Sequence, residues 1–138
     1  MKCVLDVNVL VAALLSRTGT PAQLLRLWLD GAFEVVVSPR MMTELQRVLA
    51  YPKIRARIEA PDAQAFPAFL ADAATVLDDS PMPRESRTGD PDDEHLVVLA
   101  EQARAIVVSG DRHLLSLADS VPVQSPAEFL RFIGDLDA

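Results

Sequence analysis

A chain of 138 residues, half of them hydrophobic, has the length of one domain and enough apolar material for a sizeable core. Its net charge of −7 argues against a protein that grips nucleic acid through a broad basic surface, and no apolar run approaches the roughly 18 residues a membrane span needs. The lone cysteine, Cys3, rules out an internal disulfide and fits a reducing, cytoplasmic setting, and with only His95 and His113 beside it the usual four-ligand structural zinc site is ruled out too.

In chain order, Lys2 to Asp6 reads as a short buried strand, and Asn8 opens an apolar helix to about Leu15. Asp6 and Asn8 interrupt the apolar stretch, which argues against a secretory signal. Pro21 starts a second helix with Leu24, Leu25, Trp28 and Leu29 on one face, ending at Gly31. Glu34 to Val37 is a valine-rich second strand. Ser38-Pro39 then supplies an N-cap and a proline at the first position of a helix that runs to about Ala50. Further helical stretches are expected around Ile54 to Ile58 and Pro61 to Ala74, followed by a third strand, Thr75 to Leu77. Pro81, Pro83 and Gly89 mark a loop, and Asp90-Pro91 caps a helix to about Ala103. Ala105 to Ser109 is a buried strand, His113 to Ala118 a short helix, Val121 to Gln124 a last strand and Pro126 to Ile133 a last helix. Strands alternating with helices predict an α/β three-layer sandwich, one domain over residues 1–138 with a central, mostly parallel β-sheet flanked by helices. In such sheets ligands bind beyond the carboxyl ends of the strands.

Acids gather where that rule points. Asp6 ends the first strand, and Asp111 follows Ile106-Val107-Val108-Ser109-Gly110. Either one, taken alone, could simply cap the helix after it. Glu44 borders the apolar stripe of Met41, Leu45, Val48 and Leu49, where a carboxylate is partly desolvated. A fourth acid comes from Asp90-Pro91-Asp92-Asp93-Glu94, a run in which Asp90 is an N-cap and acids in the first turn complement the helix dipole. Asp93 shares the face of Leu96, Val97 and Ala100, whereas Asp92 lies above Leu96 and Leu99, and periodicity leaves both open. Four elements that each bring an acid to one end of one sheet need something to offset their repulsion. Hard divalent cations with oxygen ligands do so.

Val4-Leu5-Asp6-Val7-Asn8, Glu44 after Ser38-Pro39, Asp90-Pro91-Asp92-Asp93 and Val107-Val108-Ser109-Gly110-Asp111, in this order over nearly the whole chain, resemble the PIN domain, and within it the VapC-like toxin endoribonucleases of toxin–antitoxin pairs. The resemblance implies that Asp6, Glu44, Asp93 and Asp111 form a catalytic acidic quartet holding one or two Mg²⁺ or Mn²⁺ ions. The spacing of Asp93 to Ala100 matches the family's third acid and a small alanine, which favours Asp93 over Asp92. Asn8 falls where the family has a polar residue beside the first acid, Ser109 replaces a more frequent threonine, and Arg112 matches a basic residue after the last acid. Asn8 and Ser109 would orient carboxylates or water, and Arg112, with Arg40 or Arg87, would hold flanking phosphates. The implied reaction is hydrolysis of RNA phosphodiester bonds to a 3′-hydroxyl and a 5′-phosphate. The implied partners are RNA, an antitoxin and a second copy of the chain. An antitoxin peptide would cover an apolar groove lined by Trp28, Phe66 or Phe69, although these aromatics fit an ordinary core as well.

Other acidic-pocket classes fit less well. A receiver domain needs a lysine near the end of a late strand, and Lys2 and Lys53 stand elsewhere. A dehalogenase-like phosphatase needs a proton-donating acid where Asn8 stands. A catalytically inactive PIN-like module that only binds partners is at odds with the presence of all four acids.

Overall fold

The computed structural model describes residues 1–136, so the last two residues of the expected 1–138 domain lie outside the described residues. Strand β1 (Lys2–Leu5) buries Cys3, Val4 and Leu5 in succession. An unbroken apolar run of this kind suits a parallel strand covered on both faces. It lies at the centre of a five-stranded sheet with β2 (Glu34–Val37), β3 (Thr75–Val76), β4 (Ile106–Val108) and β5 (Val123–Gln124). The order is β3-β2-β1-β4-β5, and every pairing is parallel.

Among the described residues, eight helical segments connect and cover the strands: α1 (Val7–Leu15), α2 (Thr20–Leu29), α3 (Pro39–Leu49), α4 (Pro52–Arg55), α5 (Ala60–Ala73), α6 (Pro91–Ala103), α7 (Arg112–Leu115) and α8 (Pro126–Leu136). Helix α6 packs across β1, β2 and β4, while α1 packs on α2 and α3, and α2 on α8. Phe129, Leu10, Leu24, Met41, Leu45 and Leu70 are fully buried, and Phe33 meets Phe129 edge-on with ring centroids 5.1 Å apart. The expected apolar face of α2 is narrower than its sequence suggests. Leu24 and Trp28 are buried, but Leu29, in the last turn, is 57% exposed.

Several ends are fixed as their residue types require. Ser38 Oγ accepts from the Met41 amide at 3.3 Å and caps α3, with Pro39 next to it. Asp90 Oδ1 accepts from the Asp92 amide at 2.9 Å and caps α6. At the start of α8, Ser125 and Glu128 form a reciprocal capping box, with bonds of 2.9 and 3.1 Å. No helix among the described residues is long and apolar enough to cross a membrane.

From β1 the chain builds outward through β2 to β3, then crosses back by α6 to place β4 and β5 on the other side of β1. The direction of winding therefore reverses at β1. The carboxyl ends of β1 and β4 flank the crevice that such a reversal opens.

Candidate active site

The register of β1 and β4 pairs Leu5 with Val108, so the residues after them, Asp6 and Ser109, leave the sheet side by side. The Asp6 amide donates to the Val108 carbonyl at 2.9 Å, and Ser109 Oγ, fully buried, donates to Asp6 Oδ2 at 2.7 Å. The same hydroxyl oxygen accepts from the Asp111 amide at 3.0 Å. One serine thus fixes the first carboxylate and the loop that carries the last one. Asp111 also caps α7, its Oδ1 accepting from the His113 amide at 2.8 Å. The helix-cap role foreseen for Asp111 is real and does not keep it from the crevice.

The electrostatics bind the four acids into one group. Burial raises the Asp6 carboxyl above the usual aspartate range and the Asp111 charge adds to it, opposed by the Ser109 hydroxyl and the amides of Asn8 and Val7. Asp93 is buried on α6 and pushed up to about 6, first by burial and then by the charges of Asp111, Asp90 and Asp6, with His113 working against them. Glu44, half-buried on α3, is raised by burial and by the charges of Asp6 and Asp92, against Arg47 and Arg40. Asp6 is the common member, since it acts on both Asp93 and Glu44 and is acted on by Asp111.

The three acids at the start of α6 point to three different places. Asp92, its side chain 76% exposed, pairs with Arg40 at 3.2 Å. Asp93 is buried and feels the charges of Asp111, Asp90 and Asp6. Glu94 is fully buried: its Oε1 accepts from Ser86 Oγ at 2.8 Å and from the amides of Arg87 and Thr88 at 2.7 and 3.1 Å, and its Oε2 meets Arg87 Nη2 at 3.0 Å. Burial works to raise the Glu94 carboxyl, but the hydrogen bonds from Ser86, Thr88 and Arg87 outweigh it and hold the group below the usual range. Glu94 thereby moulds residues 86–88 against α6, a role the sequence did not suggest. The nearest signal was the set of donors Ser86-Arg87-Thr88 just ahead of a helix with one acid too many for its surface.

Other expected residues are placed as follows. Arg87 is committed to Glu94 and Glu101, so the expectation that it reaches a phosphate is corrected. Arg40 Nη2 is shared by Asp92 and the Pro91 carbonyl. Arg112 is exposed in the turn directly after Asp111. Asn8, exposed in the first turn of α1, lines a groove of about 410 Å³ together with Asp6, Asp111, Ala12, Pro21 and Pro126. His113 Nε2 donates to the Thr88 carbonyl at 2.7 Å and ties α7 to the Glu94 loop. His95, given no role from the sequence, is buried beside Glu44 with Nε2 3.7 Å from Glu44 Oε2. It is held neutral, its pKa lowered to about 4 by burial and then by the Arg40 charge.

As the side chains stand, no three histidine, cysteine, aspartate or glutamate groups among the described residues are close enough to hold one ion. The donor chemistry nevertheless fits a hard divalent cation. The donors are carboxylate oxygens only, partly desolvated, and raised by one another's charge, a cost that a dication removes. Mg²⁺ in particular keeps several waters and needs only one or two direct carboxylates.

A family model described as "PIN domain" matches residues 2–113. The uncharacterized protein MJ1680 of Methanocaldococcus jannaschii is 26% identical over 142 residues, covering 94% of this chain and 90% of that protein. Among solved structures, PAE2754 from Pyrobaculum aerophilum aligns with a TM-score of 0.67 at 16% identity, over 98% of this chain and 90% of that one. VapBC2 from Rickettsia felis, bound to a DNA fragment from their promoter, gives 0.63 at 14% identity over 91% and 98%. VapBC-1 from nontypeable Haemophilus influenzae gives 0.59 at 15% identity over 92% and 99%. At these identities the structural likeness speaks for the fold alone.

Proposed function

Because the chain belongs to the PIN-domain family, a family of nuclease character, we propose that it is a Mg²⁺- or Mn²⁺-dependent endoribonuclease, one domain through residue 138, acting in the cytoplasm as the toxin of a toxin–antitoxin pair. The observation that carries this reading is the group around Asp6. Asp6, Asp93, Asp111 and Glu44 come from four elements around the carboxyl ends of β1 and β4, where burial raises Asp6, Asp93 and Glu44, the Asp111 charge adds to Asp6 and Asp93, and the Asp6 charge adds to Asp93 and Glu44.

In this scheme Asp6 and Asp111 are the central ligands, and Glu44 and Asp93 bind directly or through water. Asp93 is preferred to Asp92 because Asp92 is turned outward to Arg40. A divalent ion, when bound, supplies Lewis acidity that neutralises charge and acidifies water. Ser109 holds Asp6 in one orientation. Asn8 faces the groove beside the acids, where the sugar or base next to the cut phosphate would lie, and Arg112 offers a bidentate contact to a flanking phosphate. Water attacks phosphorus, the bond to O3′ breaks, and O3′ leaves with a proton, which gives a 3′-hydroxyl and a 5′-phosphate.

An antitoxin is a proposed partner, as in the VapBC neighbours, and so is a second copy of the chain. A groove of about 720 Å³ lined by Leu14, Leu15, Phe66, Phe69, Arg17 and Asp62 offers apolar and charged contacts for an antitoxin peptide. Phe69 is exposed there and packs edge-on against Trp28 at 5.9 Å, while Trp28 and Phe66 belong to the core.

The alternative, a PIN-like module that only binds partners, draws support from the lack of three ion-holding side chains in contact distance among the described residues. Incubation of the protein with single-stranded RNA separates the two. Cleavage is expected with Mn²⁺ or Mg²⁺, silence with EDTA, and loss of cleavage in Asp6→Asn with an unchanged circular dichroism spectrum. Full activity of Asp6→Asn in Mg²⁺ would count against the scheme. Intact RNA together with no saturable Mn²⁺ uptake by calorimetry would favour the binding module.

A further inference from the structure

His95 follows Asp93 by two residues on α6, and its ring turns inward. The side chain is 6% exposed, and neither Nδ1 nor Nε2 has a hydrogen-bond partner among the described residues. Two unpaired polar atoms on one buried ring are costly, and native structures seldom leave them without a purpose. Glu44 Oε2 lies 3.7 Å from Nε2, about 0.8 Å beyond the usual N–H···O distance. Glu44 for its part feels burial and charges, with no hydrogen bond fixing its carboxylate among the described residues. A 40 Å³ cavity beside the ring, lined by Arg40, Asp79, Ser80 and Met82, leaves the imidazole slack that a close-packed interior would not.

We propose that His95 is the positioning residue of Glu44: its Nε2–H donates to Glu44 Oε2 and holds that carboxylate toward Asp6 when a divalent cation binds. The proposal rests on the metal-dependent reading of the acidic group. A carboxylate facing Nε2 selects the tautomer with its proton there, and a charged ring would donate from the same atom, so the role does not depend on the ring's protonation. It is the arrangement by which a buried donor sets the orientation and basicity of a metal-binding carboxylate. The donor lies on α6, which also carries Asp93, and the acceptor on α3. The contact would therefore couple two of the four acids mechanically across the crevice.

The test compares His95→Leu and His95→Gln by Mn²⁺ calorimetry and by melting without metal. His95→Leu should lose about 10- to 100-fold in Mn²⁺ affinity while melting no lower than wild type, because it removes a buried unpaired ring. His95→Gln, which keeps an N–H donor, should recover most of the affinity. Wild-type affinity in His95→Leu, or equal losses in both variants, overturns the proposal. If His95→Leu does not fold, the wild-type protein still decides by NMR. The imidazole Nε2–H resonance should move downfield on Mg²⁺ saturation, and a resonance that stays fixed while Mg²⁺ binds overturns the assignment. A wild type that takes up no divalent ion overturns both this proposal and the functional reading. Uptake without any effect at His95 removes this proposal alone.

Discussion

Removing the buried Glu94 carboxylate would take the acceptor from the amides of Arg87 and Thr88 and from the Ser86 hydroxyl, of which only the Thr88 amide belongs to a buried residue, and would leave the Arg87 guanidinium to Glu101. Losing hydrogen bonds to a charged group costs about 1.5–3 kcal/mol, so Glu94→Ala should lower unfolding free energy by that order in a urea titration. A loss under about 1 kcal/mol, the scale of a surface ion pair, would show that the loop does not depend on it. At this scale the sequence was legible where a residue's role follows from its place on a strand. Asp6 and Asp111 stand at strand ends whatever their side chains do. It was not legible where three acids share one helical turn. The 100° steps that send Asp92 to Arg40, Asp93 to the crevice and Glu94 to the loop become meaningful only once the direction of the sheet from α6 is known. Likewise, nothing local to His95 says that its ring has no partner.

Caps and element ends follow from local chemistry alone, which is why Ser38-Pro39 and Asp90-Pro91 marked the starts of α3 and α6 correctly. The far end of α6 obeys the same logic with an unusual residue. Arg104 sits at φ 56°, in the left-handed region, where its amide closes the helix onto Ala100 and Glu101. A Cβ is unwelcome in that conformation, and glycine is the usual occupant. Arg104→Gly should therefore raise stability by about 0.5–1 kcal/mol, measured as a shift of the denaturation midpoint with unchanged slope. A lower midpoint would mean that the Arg104 side chain makes a contact worth more than the strain. The burial of α2 was overestimated from its pattern because the helix ends at the surface, where the final residue Leu29 is exposed while Trp28 before it stays buried.

For the molecule as a whole, the acidic group makes folding sensitive to pH in a definite direction. Asp93 has a native pKa of about 6 against an ordinary value of 3.8, and Asp6 and Glu44 are also raised. Between those values the native state binds more protons than the unfolded chain, so unfolding free energy falls as pH rises through that window and stays low above it. Glu94 has the opposite shift, and its contribution fades only as pH drops below the ordinary glutamate range. The metal-free protein should thus melt higher at pH 5 than at pH 7.5, and Mg²⁺ should raise the melting temperature more at pH 7.5, where no proton competes for the carboxylates. A metal-free melting temperature that climbs from pH 5 to 7.5 would contradict this.

The exposed stretch between β3 and α6 divides the acids evenly, with Asp6 and Glu44 before it and Asp93 and Asp111 after it, and the Ser109–Asp6 bond spans 103 positions of sequence. A growing polypeptide therefore carries only half of the four acids until α6 emerges, and lacks Asp111 until the residues after β4 are made. The four acids can thus come together only when most of the polypeptide has been made.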